Sequence, residues 1–134
     1  MIGILIVAHG AFGEALIHSA SHVLGKRPLR VRQVGVTIHD DPAAILPQAM
    51  DLVRQLDEGD GVLVLTDIFG ATQGNVVSRL LEDGRVEGVS ELSLPMLLRV
   101  LSGRNGSLKG AVERAQSGGA EGVVHMNRDK CCDA

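Results

Sequence analysis

Two polar side chains stand at the ends of the two most apolar segments of this chain. His9 follows the apolar run 4–8, and Asp67 follows the run 62–65 and Thr66. Histidine is the side chain best suited to proton or phosphoryl exchange near neutral pH. A carboxylate that accepts a hydrogen bond from imidazole Nδ1 fixes the tautomer and leaves Nε2 as the nucleophile. The two residues therefore predict a nucleophilic histidine that is oriented by an aspartate.

Small residues follow both polar side chains. Gly10 and Ala11 come after His9, and residues 70–72, Gly-Ala-Thr, come shortly after Asp67. Each segment leads into a predicted helix, whose first N–H groups attract an anion and whose dipole contributes ~0.3–1 kcal/mol. Thr72 adds a hydroxyl donor. We therefore predict a transient phosphohistidine site, and we take its candidate phosphate-binding residues to be Gly10, Gly70, Ala71 and Thr72.

The elements that must position these residues follow from the hydrophobic pattern. Short all-apolar runs are typical of strands that are buried on both faces of a parallel sheet. The predicted strands are 2–8, 31–38, 62–65, 88–94 and 122–126. The predicted helices are 14–24, a segment that starts at 42 or near 45 and ends at 56, 73–81, a helix opened by Pro95, and 108–116, ended by Gly118 and Gly119.

This order of elements predicts an α/β fold with an open, doubly wound, mainly parallel sheet and helices on both faces. Strands one and three are usually neighbours in such a sheet, so His9 and Asp67 are expected to meet at its carboxyl edge. The segment 31–38 alternates and is expected nearer an edge. The short strand 122–126 is expected to be antiparallel at the edge or donated to a partner chain.

Composition excludes several classes of protein. The 134 residues fit one domain, and a net charge of -3 without Trp or Tyr argues against nucleic-acid binding. No apolar run reaches the ~18 residues of a membrane span, and the start lacks a basic signal region. Cys131 and Cys132 are adjacent, without metal-site spacing. We expect a cytoplasmic protein with a domain at 1–127 and a polar, disordered tail at 128–134.

Three segments together resemble the mannose-type enzyme IIA of the bacterial phosphoenolpyruvate-dependent sugar phosphotransferase system. The segments are 4–10, 61–72 and 94–97. The resemblance implies a carrier that accepts phosphate from the phosphocarrier protein HPr on His9 and passes it to a IIB partner. It also implies that Asp67 bonds the histidine and that residues 70–72 hold the phosphoryl oxygens. A homodimer that exchanges its last strand is implied as well, and no metal or organic cofactor is needed.

The chain also departs from this pattern. The family's loop often reads Gly-Gly-Ser-Pro, whereas residues 70–73 read Gly-Ala-Thr-Gln, in which Thr72 keeps the hydroxyl. We expect no IIB domain to be attached. A second hypothesis is therefore a regulatory module, in which the phosphorylation of His9 controls binding to another protein. The phosphotransfer subunit of a dihydroxyacetone kinase ranks third.

The other histidines have simpler explanations. His18 and His22 lie one helical turn apart, but no third ligand accompanies them, so a solvated face is the favoured interpretation. His39 follows the second strand and could edge the site, and His125 is expected to be an ordinary edge-strand residue. For His9 itself, the alternative is a strand-end histidine that bonds a neighbouring backbone group.

Overall fold

The structure, a computed structural model, describes residues 1–129 and contains four strands and six helices in that part of the chain. The elements in chain order are β1 (Gly3–His9), α1 (Phe12–Leu24), β2 (Val31–Val36), α2 (Pro42–Leu56), β3 (Val62–Thr66), α3 (Ala71–Leu80), β4 (Val86–Val89), α4 (Leu94–Leu101), α5 (Leu108–Glu121) and α6 (Met126–Asp129). No helix among the described residues is long and apolar enough to cross a membrane.

The sheet has the order β2-β1-β3-β4, and its strands pair in parallel. Within the β1–β3 pair, Val7 lies opposite Thr66, so the residues that follow both strands emerge at the same edge. The predicted doubly wound, parallel α/β fold is confirmed, and β2 is an edge strand as the alternating pattern indicated.

Alternate residues of the inner strands feed two separate cores. One core lies between the sheet and helices α1, α4 and α5, and the other lies between the sheet and helices α2 and α3. Ile4 and Ile6 point into the first core, whereas Leu5 and Val7 point into the second. Because residues on both faces of β1 are fully buried, the strand has little freedom to shift its register. It therefore delivers His9 to a fixed place.

Helix α2 begins at Pro42 and not near Ile45. The side chain of Asp41 accepts a hydrogen bond from the Ala43 N–H at 3.0 Å, which caps the first turn. The helix continues through Pro47 even though an interior proline removes one backbone hydrogen bond. Burial of the face that packs on the sheet, which includes Leu52, offsets that loss.

The last long helix corrects a prediction. Helix α5 runs to Glu121 and passes through Gly118 and Gly119, which we expected to end it. These glycines allow helix α4 to approach closely instead: a Cβ on Gly118 would lie 3.1 Å from the Met96 Cα, and a Cβ on Gly119 would lie 2.9 Å from the Met96 Cε. The glycines therefore serve the packing of two helices and do not mark a boundary.

The predicted strand 122–126 does not form in the single chain, where residues 123–125 are irregular and α6 begins at Met126. Val123 is 82% exposed and Met126 is 77% exposed, and no strand in the described part of the chain pairs with them. Exchange of this segment with a partner stays a prediction. Strand β4 also lies earlier than the predicted 88–94, because it pairs with β3 from Val86 to Val89. The left-handed backbone of Glu91 (φ 62°) lies within the rest of the predicted segment.

Two other expectations about the carboxyl end are not tested. The proposed boundary at residue 127 stays a prediction, and the tail from residue 130 onward, with Cys131 and Cys132, lies outside the described residues.

Candidate functional site

His9 and Asp67 meet at the carboxyl edge of the sheet. The Nδ1 atom of His9 lies 3.0 Å from the Oδ2 atom of Asp67. The backbone N–H of His9 donates to the same Oδ2 atom, also at 3.0 Å. The imidazole side chain is 32% exposed and the carboxylate side chain is 15% exposed. The aspartate is thus the sheltered member of the pair, and the ring is the member that an incoming molecule can reach.

The protonation of Asp67 decides which ring nitrogen is the nucleophile. Burial by itself would raise the pKa of Asp67, but the hydrogen bonds from the His9 backbone N–H, the His9 ring and the Ile68 N–H outweigh it and lower that pKa below 3.8. An ionised carboxylate can only accept hydrogen bonds, so Nδ1 must carry the proton. In the neutral imidazole, Nε2 then holds the free lone pair, and its role as the nucleophile stays a prediction.

A short loop behind the carboxylate is held by side chains of its own neighbours. The Ile68 N–H donates to Asp67 Oδ1 at 2.9 Å, and the Ile68 carbonyl accepts from Gln73 Nε2 at 2.7 Å and from Thr66 Oγ1 at 3.3 Å. Gln73 is fully buried. From the sequence alone, Gln73 is the first residue of the predicted helix 73–81 and stands where the resembling family often has proline. A long amide at the start of a helix was the available signal that it could reach back to the loop.

The turn after His9 depends on a second residue that sequence reasoning missed. Gly10 has a left-handed φ of 51°, and its N–H donates to the Val36 carbonyl at 2.8 Å. A Cβ on Gly35 would lie 2.5 Å from the Gly10 carbonyl oxygen, so only glycine fits at position 35. A glycine inside a predicted strand was the signal for such a close approach. The Gly10 amide is engaged in this bond, so Gly10 contributes the shape of the turn.

The two helices that begin beside the site lack side-chain caps. The N-cap residues are Ala11 for α1 and Gly70 for α3, and neither side chain carries an oxygen. Helices α2, α4 and α5 are capped instead by Asp41, Ser93 and Ser107. The first amides of any helix have no acceptor within the helix, so α1 and α3 leave donors for an anion at this edge.

Two of the candidate phosphate-binding side chains cannot be placed. The backbones of Ala71 and Thr72 open helix α3, but their side chains lie outside the described part of the structure. The hydroxyl of Thr72 therefore stays a predicted contact.

Exposed apolar side chains lie in the segments that flank the pair. Phe69 is 65% exposed, Ile68 is 51% exposed and Phe12 is 40% exposed. Exposed large apolar side chains beside a reactive group are typical of a surface that other proteins approach. Within residues 1–129, no group of three or more His, Cys, Asp or Glu side chains is placed so that it could hold a metal ion.

A family model described as "PTS system fructose IIA component" (EIIA-man) matches residues 3–116. The PTS system mannose-specific EIIAB component of Escherichia coli (strain K12) is 29% identical over 125 residues, which cover 91% of this chain and 38% of that protein. The transcriptional regulatory protein LevR of Bacillus subtilis (strain 168) is 32% identical over 68 residues, which cover 50% of this chain and 7% of that protein. The chain thus spans well under half the length of both relatives.

The fold is also found among solved structures. The phosphotransferase system component EIIA from Streptococcus agalactiae superposes with a TM-score of 0.82 at 26% identity, and the match covers 95% of this chain and 98% of that one.

Proposed function

Because the chain belongs to the family of PTS system fructose IIA components, matched over residues 3–116, we propose that it carries a phosphoryl group on Nε2 of His9. Membership in the family assigns the chain, in general terms, to sugar phosphotransfer. The residue, the donor and the acceptor are the new parts of the proposal.

The observation that carries the proposal is the contact of 3.0 Å between His9 Nδ1 and Asp67 Oδ2. Because Nδ1 donates the hydrogen bond in this contact, Nε2 keeps its lone pair. That lone pair attacks, in line, the phosphorus of the phosphohistidine that supplies the phosphate. The P–N bond of the donor breaks as the new bond to Nε2 forms. The His9 ring becomes cationic, and the ionised Asp67 balances that charge.

The phosphoryl oxygens need donors of their own. On this proposal the uncapped first turns of α1 and α3 supply backbone N–H groups, and Thr72 supplies a hydroxyl. Residues 70–72 therefore form the phosphate-binding segment. The phosphate moves from one imidazole to another, and the two phosphohistidines have similar transfer potential. The transfer therefore uses no organic cofactor.

The proposed partners follow from the family. Phospho-HPr is the donor, a IIB component is the acceptor, and the chain works in the cytoplasm as a homodimer. The exposed side chains of Phe12, Ile68 and Phe69 offer both partners an apolar surface around His9.

Reconstitution tests this function. The chain is incubated with enzyme I, HPr and phosphoenolpyruvate, and its intact mass is measured. We expect one acid-labile phosphate per chain and none on a His9→Ala variant. A His39→Ala variant is the matched control, because His39 follows β2 at the same edge of the sheet, and it should be phosphorylated normally. A His9→Ala protein that gains as much phosphate as the wild type would refute the proposal.

A second candidate function is a regulatory module whose partner binds only one phosphorylation state of His9. The match to part of the transcriptional regulatory protein LevR favours it. The two functions differ in the fate of the phosphate: a carrier loses it to added IIB within minutes, whereas a regulatory module keeps it until HPr removes it.

A further inference from the structure

A second cleft lies at the amino edge of the sheet, at the end opposite to His9. Its volume is about 810 Å³, within the range of small-molecule sites. Its walls come from the end of α1, the segment that leads into β2, and the connection between α4 and α5. None of its lining residues belongs to the proposed phosphohistidine site.

The charge of this cleft is opposite to that of the protein. Four basic side chains line it, and none of its described lining residues is acidic, although the chain has a net charge of -3. The basic residues are Lys26, Arg27, Arg104 and Arg114. Arg27 pairs with the exposed Glu14 at 2.9 Å, whereas Lys26 and Arg114 form no ion pair with any described carboxylate.

Arg104 lies at the buried bottom of the cleft, which we call its floor. It is 7% exposed, and its guanidinium donates to the carbonyls of Ile2 at 2.8 Å and of Arg30 at 3.0 Å, and also to that of Leu29. These acceptors are neutral, so they satisfy the N–H groups of the buried cation without cancelling its charge. The cleft thus has a fixed positive floor, which favours an anion.

The guanidinium of Arg114 lies close to Gly103 in the α4–α5 connection. A Cβ on Gly103 would lie 2.1 Å from Arg114 Nε and 2.3 Å from its Cζ. The guanidinium therefore occupies the space that any side chain at position 103 would take. Because position 103 is glycine, the guanidinium fits against this wall of the cleft, and a guanidinium is well suited to bind a phosphate.

Apolar side chains line the same cleft. Leu29 is 71% exposed and Leu24 is 45% exposed. Exposed leucines beside unpaired cations fit a molecule with one anionic end and one uncharged end. We propose that this cleft binds a small organic phosphate, with its phosphate against Arg114 and Lys26 and its uncharged part against Leu24 and Leu29.

Titration of the whole chain with phenyl phosphate, inorganic phosphate and benzoate tests the proposal. We expect saturable binding of phenyl phosphate at least tenfold tighter than that of either other probe. Inorganic phosphate lacks the uncharged part, and benzoate carries a single charge on a carboxylate in place of a phosphate. Amide resonances of Gly103, Gly106 and Ser107 should shift, and those of residues 67–70 should not. A His9→Ala variant should bind equally well, so this site and the His9 carrier role succeed or fail separately.

Matched variants distinguish specific binding in the cleft from nonspecific attraction of the phosphate to positive charge. Arg114→Ala should weaken phenyl phosphate binding at least fivefold. Arg54→Ala removes the same charge from the exposed face of α2 and should change nothing. Leu29→Ala should weaken phenyl phosphate but leave inorganic phosphate unchanged.

Two glycine variants test the position of Arg114 without removing any charge from the protein. Gly103→Ala displaces the flexible end of Arg114 and should weaken phenyl phosphate binding at least threefold, whereas Gly106→Ala, whose Cβ would meet only the Gly103 carbonyl at 3.6 Å, should bind normally. Absence of saturable binding would overturn the proposal, as would equal losses in Arg54→Ala and Arg114→Ala. Wild-type affinity in Gly103→Ala, or benzoate binding as tight as that of phenyl phosphate, would also overturn it.

Discussion

Oδ2 of Asp67 accepts two hydrogen bonds from a single residue, one from the backbone N–H of His9 and one from its ring Nδ1, each at 3.0 Å. The backbone bond fixes the aspartate relative to β1, and the ring bond fixes the imidazole relative to the aspartate. The orientation of the nucleophile is thus tied to the sheet by two contacts.

Asp67→Asn should slow phosphorylation of His9 by HPr about 10–100-fold, by analogy with the partners that orient metal-binding histidines, whose loss has an effect of that size. The amide cannot balance the cationic ring, and its NH₂ group would face N–H donors on at least one side. Single-turnover rates with phospho-HPr measure this effect. An unchanged rate would mean that the carboxylate does not support the transfer.

Asp67 should also make stability depend on pH in a defined direction. Its pKa is lowered in the folded protein, so its contribution is complete above the unfolded value near 3.8 and is lost as pH falls through the folded value. The stability gap between wild type and Asp67→Asn, measured by urea unfolding from about pH 5 downward, should narrow below about pH 4. A gap that widens below about pH 4 would contradict the assignment.

The titration of Asp57 does not affect the difference in stability between wild type and Asp67→Asn. The pKa of Asp57 is also lowered, chiefly by the hydrogen bond from the Gly59 N–H. Because both proteins contain this residue, its effect cancels in the difference.

Gly35→Ala should disturb the site from the neighbouring strand. The new Cβ would lie 2.5 Å from the Gly10 carbonyl oxygen, so the turn after His9 must move, at a cost of about 1–3 kcal/mol. We expect a lower Tm and slower phosphorylation. Gly74→Ala is the control: its Cβ would meet nothing closer than Phe69 at 3.6 Å, and it should be neutral or stabilising by up to about 1 kcal/mol. Equal behaviour of the two variants would argue against a role for Gly35.

Gln73→Ala should destabilise the chain by about 1–3 kcal/mol, since it removes the hydrogen bond to the Ile68 carbonyl from a fully buried position. Gln73→Met keeps the volume and removes an Oε1 atom that has no partner among the described atoms, so it should cost less. Hydrogen exchange at residues 67–70 should quicken in both variants. Slow exchange in both would show that Gln73 does not hold the loop.

The sequence was sufficient to predict the meeting of His9 and Asp67. Two nearly pure apolar runs identify the inner strands, and parallel pairing then brings the residues after them to one edge. The two apolar runs are visible in short stretches of sequence. The usual strand order of a doubly wound sheet then predicts that the two strands are neighbours.

What the sequence could not predict depends on contacts between distant elements. Gly118 and Gly119 resemble a helix stop until α4 is seen packed against them. Val123 and Val124 resemble a strand, but no strand among residues 1–129 pairs with them. A long amide at the start of a helix indicates that Gln73 could reach back to the loop, but its acceptor, the Ile68 carbonyl, is known only from the folded loop.

The most direct test of the central claim is the position of the phosphate on the ring of His9. Nitrogen-15 NMR of the phosphorylated chain, labelled at histidine, distinguishes the two ring nitrogens. Because Asp67 holds Nδ1 as a donor, the phosphate should appear on Nε2 of His9 and Nδ1 should remain protonated. Phosphate on Nδ1, or on a histidine other than His9, would contradict the account.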